Sequence, residues 1–334
     1  VLKIGTRSPL VTKLRSRLHS IGVQIPQSEQ PDIFDKQLAA SIKRCQLMFN
    51  LEDDGVVGAA TLSEINRSNE HRMLQIRANL ERWRWLDRDL GKRHIRVNIA
   101  NFQMQYVNGD EVIRKNVIVG KQFRQTPVFS GVMTYLVFNP TWNVPHSIAV
   151  KDKLPRIHQD PGYLERGGYT LLRGWGVQER PVDPYSIDWS TVNKHNFRWH
   201  IRQNPGEFNA LGRVKFMFPN SYAVYLHDTP GKNLFEHTMR NFSSGCIRVD
   251  NPLALADVLL KDNGGWDRER IDEIIESEKE TTIKLKKPLP VHVLYFTTII
   301  DSETKEIRYL NDIYNRDEPI IAELNAFSEP VAQN

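Results

Sequence analysis

Apolar residues in the first 68 positions recur at helical spacing in three short runs. Leu10, Leu14, Leu18 and Ile21 share one face of a helix that Gly22 ends. A polar, proline-containing loop from Gln24 to Pro31 comes next. Leu38, Ile42, Cys45 and Phe49 then form the stripe of a second helix, with Asp35 as its cap. Asp53-Asp54-Gly55-Val56-Val57-Gly58 reads as a turn, and Thr61 to Asn66 opens a third helix. Residues 1–68 are therefore expected to form a compact unit of their own. Residues 69–93 connect this unit to the rest of the chain. One helix is expected over 69–90, with Met73, Ile76, Leu80, Trp83 and Leu86 on a stripe and Trp83 and Trp85 as docking aromatics rather than a sugar-stacking pair.

From His94 the period changes to two. Ile95, Val97 and Ile99 alternate, Met104 and Tyr106 lead into an Asn108-Gly109 turn, and Val112 to Gly120 returns. Met133–Phe138, Lys215–Phe218 and the run Ser221 to His227 continue the strand pattern, so residues 94–300 are expected to be β-rich with short helices, chiefly Pro252–Leu260. Between residues 150 and 204 the period is lost in a stretch rich in Gly, Pro, aromatic and charged residues. A segment that long without regular structure is expected to serve as an inserted cap or lid. Ser302 to Arg308 reads as a turn and a return strand within a C-terminal extension, 301–334, whose last dozen residues are expected to fray. The fold class is α+β: a small three-helix module, then a β-rich domain carrying an inserted cap.

Composition narrows this little. The chain has 334 residues, 40% hydrophobic and 25% charged, which suits two soluble domains. A net charge of +5 favours anionic partners, but the basic residues are scattered beyond the short run Lys284–Lys287, which argues against nucleic acid and fits a carboxylate-rich polymer as well. The apolar run Val291–Ile300 is too short for the roughly 18 residues a membrane span needs. The chain opens at Val1 and not at a methionine, which leaves export open. Two cysteines cannot build a disulfide framework, so each is read as a free thiol. Cys45 falls on the apolar stripe of the second helix and reads as a core residue.

The other cysteine carries the candidate chemistry. Cys246 follows Ser243-Ser244-Gly245 and precedes Ile247-Arg248, while Tyr225 and His227 lie on one face of the upstream run. A thiol near its ordinary pKa is only a few per cent thiolate at neutral pH, and an imidazole at a strand end can take its proton. The amides of Gly245 and Cys246 could face a developing oxyanion, with Ser244 small enough to let substrate approach. Asn251-Pro252 would cap the next helix. The remaining histidines, His195 and His200 among them, show no metal-ligand spacing and read as surface or cap residues. On residues alone, a cysteine beside a glycine is more often packed than catalytic.

The spacing His227-Asp228-Thr229 … Ser244-Gly245-Cys246-Ile247-Arg248 resembles the signature of the L,D-transpeptidases of the YkuD type. Thr126-Pro127 … Gly131-Val132-Met133, Pro140-Thr141-Trp142-Asn143-Val144-Pro145 and Asn209-Ala210-Leu211-Gly212 are similar to accompanying segments of that family. The first 68 residues resemble the peptidoglycan-binding module appended to many cell-wall enzymes, and the combination looks most like the large periplasmic YcbB-type enzymes of Gram-negative bacteria. Three positions depart from the family: Ser244 stands where it has histidine, Asp228 where it has glycine, and Ala210 where it has proline. His227 is left as the base, with His237 in reserve and a nearby backbone carbonyl to orient the ring.

The resemblance implies a metal- and cofactor-free cysteine acyltransferase acting on peptidoglycan. Cys246 would attack a tetrapeptide stem at the L-centre of its third residue, D-alanine would leave, and an amine of a neighbouring stem would take the acyl group in a 3→3 cross-link. Water or a lipoprotein lysine as acceptor gives the carboxypeptidase and anchoring variants, and a non-catalytic wall-binding protein is the rival of another class. Gly245, Tyr225 and Ser244 would shape the oxyanion pocket, and Trp142 and Asn143 would line the cleft. Arg248 would fix the loop through a salt bridge or, alternatively, hold a substrate carboxylate. Carbapenems would acylate Cys246, the cap would keep water from the acyl-enzyme, other cell-wall proteins are possible partners, and the site of action would be the periplasm.

Overall fold

The first three helices form where the pattern places them, and the first two begin at side-chain caps. The computed structural model describes residues 1–302 and 304–326. Helix α1 (Pro9–Ser20) starts at Ser8, whose hydroxyl accepts from the Leu10 amide. Helix α2 (Lys36–Met48) starts at Asp35, which accepts from the Leu38 N–H at 2.7 Å. Helix α3 (Ala59–Asn66) completes the unit. Leu14, Leu18, Phe34, Leu38, Ile42, Cys45, Phe49 and Ile65 close one core. Leu10 is exposed and Val11 takes its place, so the buried stripe of α1 lies one position on from the expected one. Burial pushes the Cys45 thiol up to about 12, which leaves it protonated and inert. Gln46 pins the turn after α2, donating to Asp54 and accepting from the Gly55 N–H, each at 2.8 Å.

Helix α4 (Asn69–Arg84) is shorter than expected, and it docks through its other face. Met73, Leu80, Trp83 and Trp85 are more than half exposed. The buried side is Gln75, Ala78, Asn79 and Arg82. Gln75 donates to the carbonyls of Thr297 and Leu310 at 2.9 and 3.0 Å, Asn79 donates to the Thr297 hydroxyl at 2.8 Å, and Arg82 pairs with buried Asp317 at 2.5 Å. The helix is thus held by directional polar bonds, which periodicity of apolar residues cannot report. Of the expected docking aromatics, Trp83 touches Phe296, with ring centroids 4.6 Å apart, whereas Trp85 stays in solvent and donates to Glu81.

The second domain is a closed barrel with an insertion. Its chain order is β1 (Arg93–Asn98), β2 (Gln103–Asn108), β3 (Glu111–Ile118) and β4 (Phe129–Phe138), then the cap strands β5 (Trp142–Asn143), β6 (Tyr169–Arg173), β7 (Arg180–Pro181) and β8 (His200–Gln203). The chain then re-enters the barrel as β9 (Val214–Met217), β10 (Leu226–His227), β11 (Ile247–Val249) and β12 (Thr281–Leu294). Around the barrel the order is β1-β12-β4-β9-β10-β11-β3-β2, with β2 pairing back to β1. Most pairs are antiparallel; β1 with β12 and β10 with β11 run parallel. Ile95, Val97, Met104, Leu136, Phe216, Leu226, Ile247 and Val291 fill the interior, joined by Leu255 and Leu259 of the helix Pro252–Leu260. Pro252 sits in that helix's first turn as expected, but Asn251 is left-handed and makes no capping bond.

The expected strand Ser221–His227 exists only as its last two residues. Ala223 has φ of 53°, and Asn220 folds the preceding stretch onto itself, donating to the carbonyls of Phe218 and Val224. The cap is a small four-stranded sheet, β5-β8-β6-β7, over its own cluster of Trp142, Leu154, Ile157, Leu171, Trp189 and Ile201. After β12, strands β13 (Thr298–Ile300) and β14 (Ile307–Tyr309) form a hairpin, and Tyr309 packs on the first module. The helix Asp317–Ala326 then lies against α4 and contributes Asp317. Most of the stretch expected to fray lies outside the described residues.

Because Arg82 is buried, removing its partner strands a charge. Asp317→Ala is expected to lower unfolding free energy by about 3–5 kcal/mol in urea titrations. A loss under about 1 kcal/mol would mean that the pair does not anchor the helix.

Candidate functional site

Three short strands place the reactive groups. Leu226 of β10 pairs with Ile247 of β11, and His227 with Arg248. Leu226 and Ile247 point into the barrel, where both are fully buried. Alternation therefore turns Tyr225 and His227, and across from them Cys246 and Arg248, to the outer face beneath the cap. The Ile247 N–H donates to the Tyr225 carbonyl at 3.1 Å, which holds Cys246 level with Tyr225. The Tyr225 and His227 rings meet edge to face, centroids 5.6 Å apart.

The loop carrying Cys246 is fixed from three sides. Thr126 donates its hydroxyl to the Gly245 carbonyl at 2.8 Å, and Gly245 has φ of 119°, a conformation that requires glycine. The Tyr314 hydroxyl donates to the Gly120 carbonyl at 2.6 Å and accepts from the Thr126 N–H at 3.1 Å. Ser243 bonds the Cys246 carbonyl at 2.5 Å and also accepts the Gly245 N–H at 3.1 Å. This corrects the expected oxyanion pair: the Gly245 amide is already engaged. The Cys246 N–H has no acceptor among the described residues.

His227 is buried and its Nδ1 lies 2.5 Å from the Asp228 carbonyl. A carbonyl only accepts, so Nδ1 carries the hydrogen and Nε2 has the free lone pair. The carboxylate of Asp228 is itself locked. It accepts from the Arg213 and Thr229 amides at 2.8 and 2.7 Å and pairs with Lys232. It also fills the space beside Gly212, where a Cβ would come within 2.3 Å of it. Asp228, where glycine was expected, thus braces the carbonyl that orients the imidazole.

Burial, then Arg248, depress the His227 imidazole to about 3 despite the Asp228 carbonyl. Burial raises the Cys246 thiol, opposed by hydrogen bonds from the Tyr225 N–H and hydroxyl and by the Arg248 charge. At neutral pH both partners are therefore uncharged, and a thiolate forms only as the proton moves to the ring. Arg248 makes no salt bridge among the described residues, and its buried Nε has no partner. The loop-fixing ion pair expected of it is absent among the described residues; the charge that acts on it is that of Cys246.

The cap meets this face at two points. Trp142 is buried and bonds the Tyr225 hydroxyl, which packs against the cap's apolar cluster. Asn143, one residue on, faces the other way and accepts from Arg202 at 3.0 Å, so it does not join the cluster. Arg124 joins cap to loop: it grips Asp152 with both Nη atoms at 2.5 and 2.7 Å and donates to Ser244 at 2.8 Å. Ser244, in place of the expected histidine, is therefore a clamp acceptor. His237 is exposed and meets Phe242 edge to face; His200 lies in the cap, bonded to Glu179 and stacked on Trp175. The sequence did not show the roles of Thr126, Ser243, Tyr314 or the Arg124–Asp152 pair: Thr126-Pro127 stood out only as a strand entry and Ser243 only as a small residue before the thiol.

Comparison with known proteins places the chain in a family. A YkuD model described as "L,D-transpeptidase catalytic domain" matches residues 92–283, and a "Putative peptidoglycan binding domain" model matches residues 7–65. A curated relative from Haemophilus influenzae, "Putative L,D-transpeptidase", is 40% identical over 231 residues, which is 69% of this chain and 46% of that protein. The match thus spans about half the relative's length. Solved L,D-transpeptidase structures from Stackebrandtia nassauensis and Xylanimonas cellulosilytica align at 13% identity with TM-scores of 0.30 and 0.27, covering 88% and 87% of this chain and 95% and 96% of theirs. Scores that low carry no weight.

The thiol's state and its access are both measurable. Its alkylation by iodoacetamide should accelerate steadily from pH 6 to pH 9, since a raised thiol pKa leaves the thiolate fraction growing across that range. A plateau below pH 7 would reveal a resting ion pair. Arg124→Ala should speed the same alkylation severalfold by releasing Asp152 and Ser244, and an unchanged rate would show that the clamp does not control access.

Proposed function

The chain belongs to the YkuD family of L,D-transpeptidases and carries a peptidoglycan-binding domain, and from that premise we propose that it forms 3→3 cross-links in peptidoglycan through a thioester on Cys246. The observation that carries this reading is the grouping of Cys246, Tyr225, His227 and Arg248 on one barrel face under the cap.

In this mechanism the Cys246 proton passes to His227 Nε2 as sulfur attacks the carbonyl at the L-centre of the third stem residue. The unengaged Cys246 N–H and the Tyr225 hydroxyl receive the oxyanion, with Tyr225 held by Trp142. Collapse breaks the C–N bond, His227 returns the proton to the leaving amine, and D-alanine departs. An acceptor amine then attacks the thioester, loses a proton to His227 and releases the thiol. Ser244 and Gly245 keep the approach to sulfur open, and the Asp228 carbonyl keeps the ring in the tautomer that both steps need. No step requires a metal or an organic cofactor.

The cap supports transfer over hydrolysis, because Trp142 and the Arg124 clamp shield the acyl-enzyme from water. The module at residues 7–65 would hold the enzyme on its polymer, and on this reading the enzyme works in the periplasm. A carbapenem offers the same acylable carbonyl and would label Cys246.

Incubation with disaccharide-tetrapeptide, read by mass spectrometry, tests the reading. A dimer lacking one D-alanine is expected, absent in Cys246→Ala and formed about 100-fold or more slowly in His227→Ala. Tripeptide monomers alone would mark a carboxypeptidase, and no product with any acceptor would favour a wall-binding protein without catalysis.

A further inference from the structure

The face that carries His227 holds a second unpaired cation. The antiparallel register of β9 with β10 sets Lys215 directly across from His227, as the parallel register of β10 with β11 sets Arg248 on its other side. The imidazole therefore lies between two cations in a row across three strands. The Lys215 ammonium makes no hydrogen bond or ion pair among the described residues, although the residue is partly buried and its Nζ lies 6.0 Å from the Tyr225 ring centroid. Glu280, the carboxylate whose field it feels, is held by the Thr141 N–H at 2.5 Å and the Thr141 hydroxyl at 2.7 Å. Other half-buried cations nearby are engaged: Lys153 by Tyr163 and Tyr169, Arg124 by Asp152. A desolvated ammonium without a partner is costly and is characteristic of a binding site awaiting an anion.

The chemistry says which anion. The acid that protonates the leaving amine must lie at that nitrogen. When the leaving group is a free amino acid, its carboxylate carbon is about 2.5 Å from the same nitrogen by ordinary backbone geometry. The cation flanking the imidazole is the group placed to meet it. We propose that Lys215, with Arg248 on the opposite side of His227, binds the C-terminal carboxylate of the leaving residue and restricts the donor to stems ending one residue beyond the scissile amide. A stem longer by one residue moves that carboxylate away, and an amidated terminus removes its charge. This inference rests on the acyl-transfer reading above.

Two measurements test it. With tetrapeptide donors bearing a free or an amidated C-terminus, the wild-type enzyme should favour the free acid by at least tenfold in kcat/KM. Lys215→Gln should erase most of that preference through KM, and Lys215→Arg should restore it. Independently of turnover, alkylation of Cys246 by iodoacetate relative to iodoacetamide should fall in Lys215→Gln. Cross-linking at equal rates from both donors would overturn the carboxylate site while leaving the transpeptidase reading intact, and it needs no variant to be seen. A Lys215-dependent iodoacetate preference without turnover of either donor would retain the anion site and sink the transpeptidase reading.

Discussion

The site depends on a parallel pairing only two residues long. Leu226 against Ile247 and His227 against Arg248 bring together segments about 20 positions apart and set their register. A slip of one residue in either strand would turn that strand's outward group, His227 or Cys246, into the barrel and its apolar neighbour out of it. Two residues of ladder cannot hold that register unaided. The apolar interior fixes it from one side, since both inward residues are fully buried. The Thr126–Gly245 bond and the Tyr314 clamp fix it from the other. The C-terminal segment thereby reaches the loop that carries Cys246, although it lies far from it in the chain.

Charge on the outer face is arranged to keep the imidazole neutral. Two cations without an ion-pair partner among the described residues flank His227, and its one good acceptor, the Asp228 carbonyl, occupies Nδ1. A carboxylate in that position would raise the ring's affinity for a proton and favour a resting ion pair. The Asp228 carboxylate is instead turned to the opposite side of the strand, where it ties down the Gly212–Arg213 turn and Lys232. The family difference at this position therefore leaves the ring's environment alone and stiffens its support. The same logic covers Ser244, which supplies a cap clamp where the family pattern has an imidazole.

The cap and the N-terminal module attach by different physics. The cap has its own apolar cluster, into which Tyr225 also packs, so its position is coupled to the face that carries Cys246 and His227. The N-terminal unit has a separate core, on which Tyr309 of β14 packs, and α4 after it docks through a polar face: Gln75, Asn79 and Arg82 bond to Thr297, Leu310 and Asp317. Directional bonds of this kind fix an orientation with little buried apolar area. The apolar residues of α4 are left on the surface around Trp83, lining a hollow of about 480 Å³ with Phe296, Ile300 and Ile307.

Much of this architecture was readable along the chain because it is local. Helical spacing and the Asp35 cap marked α2, the Asn108-Gly109 turn marked the β2–β3 hairpin, and period-two alternation marked β1 and β4. The family motifs singled out Cys246, Tyr225 and His227. What failed locally failed because tertiary contacts outweigh pattern. The apolar stripe of α4 lost to hydrogen bonds on its other face, and the Ser221–His227 run broke at Ala223 because the Asn220 side chain satisfies the backbone there instead. The Gly245 amide, the unpaired state of Arg248, the facing of Lys215 on His227 and the Arg124 clamp were decided only by the closed barrel and the cap. Each is a relation between residues far apart in the chain, and spacing along the chain carries no information about which strand lies beside which.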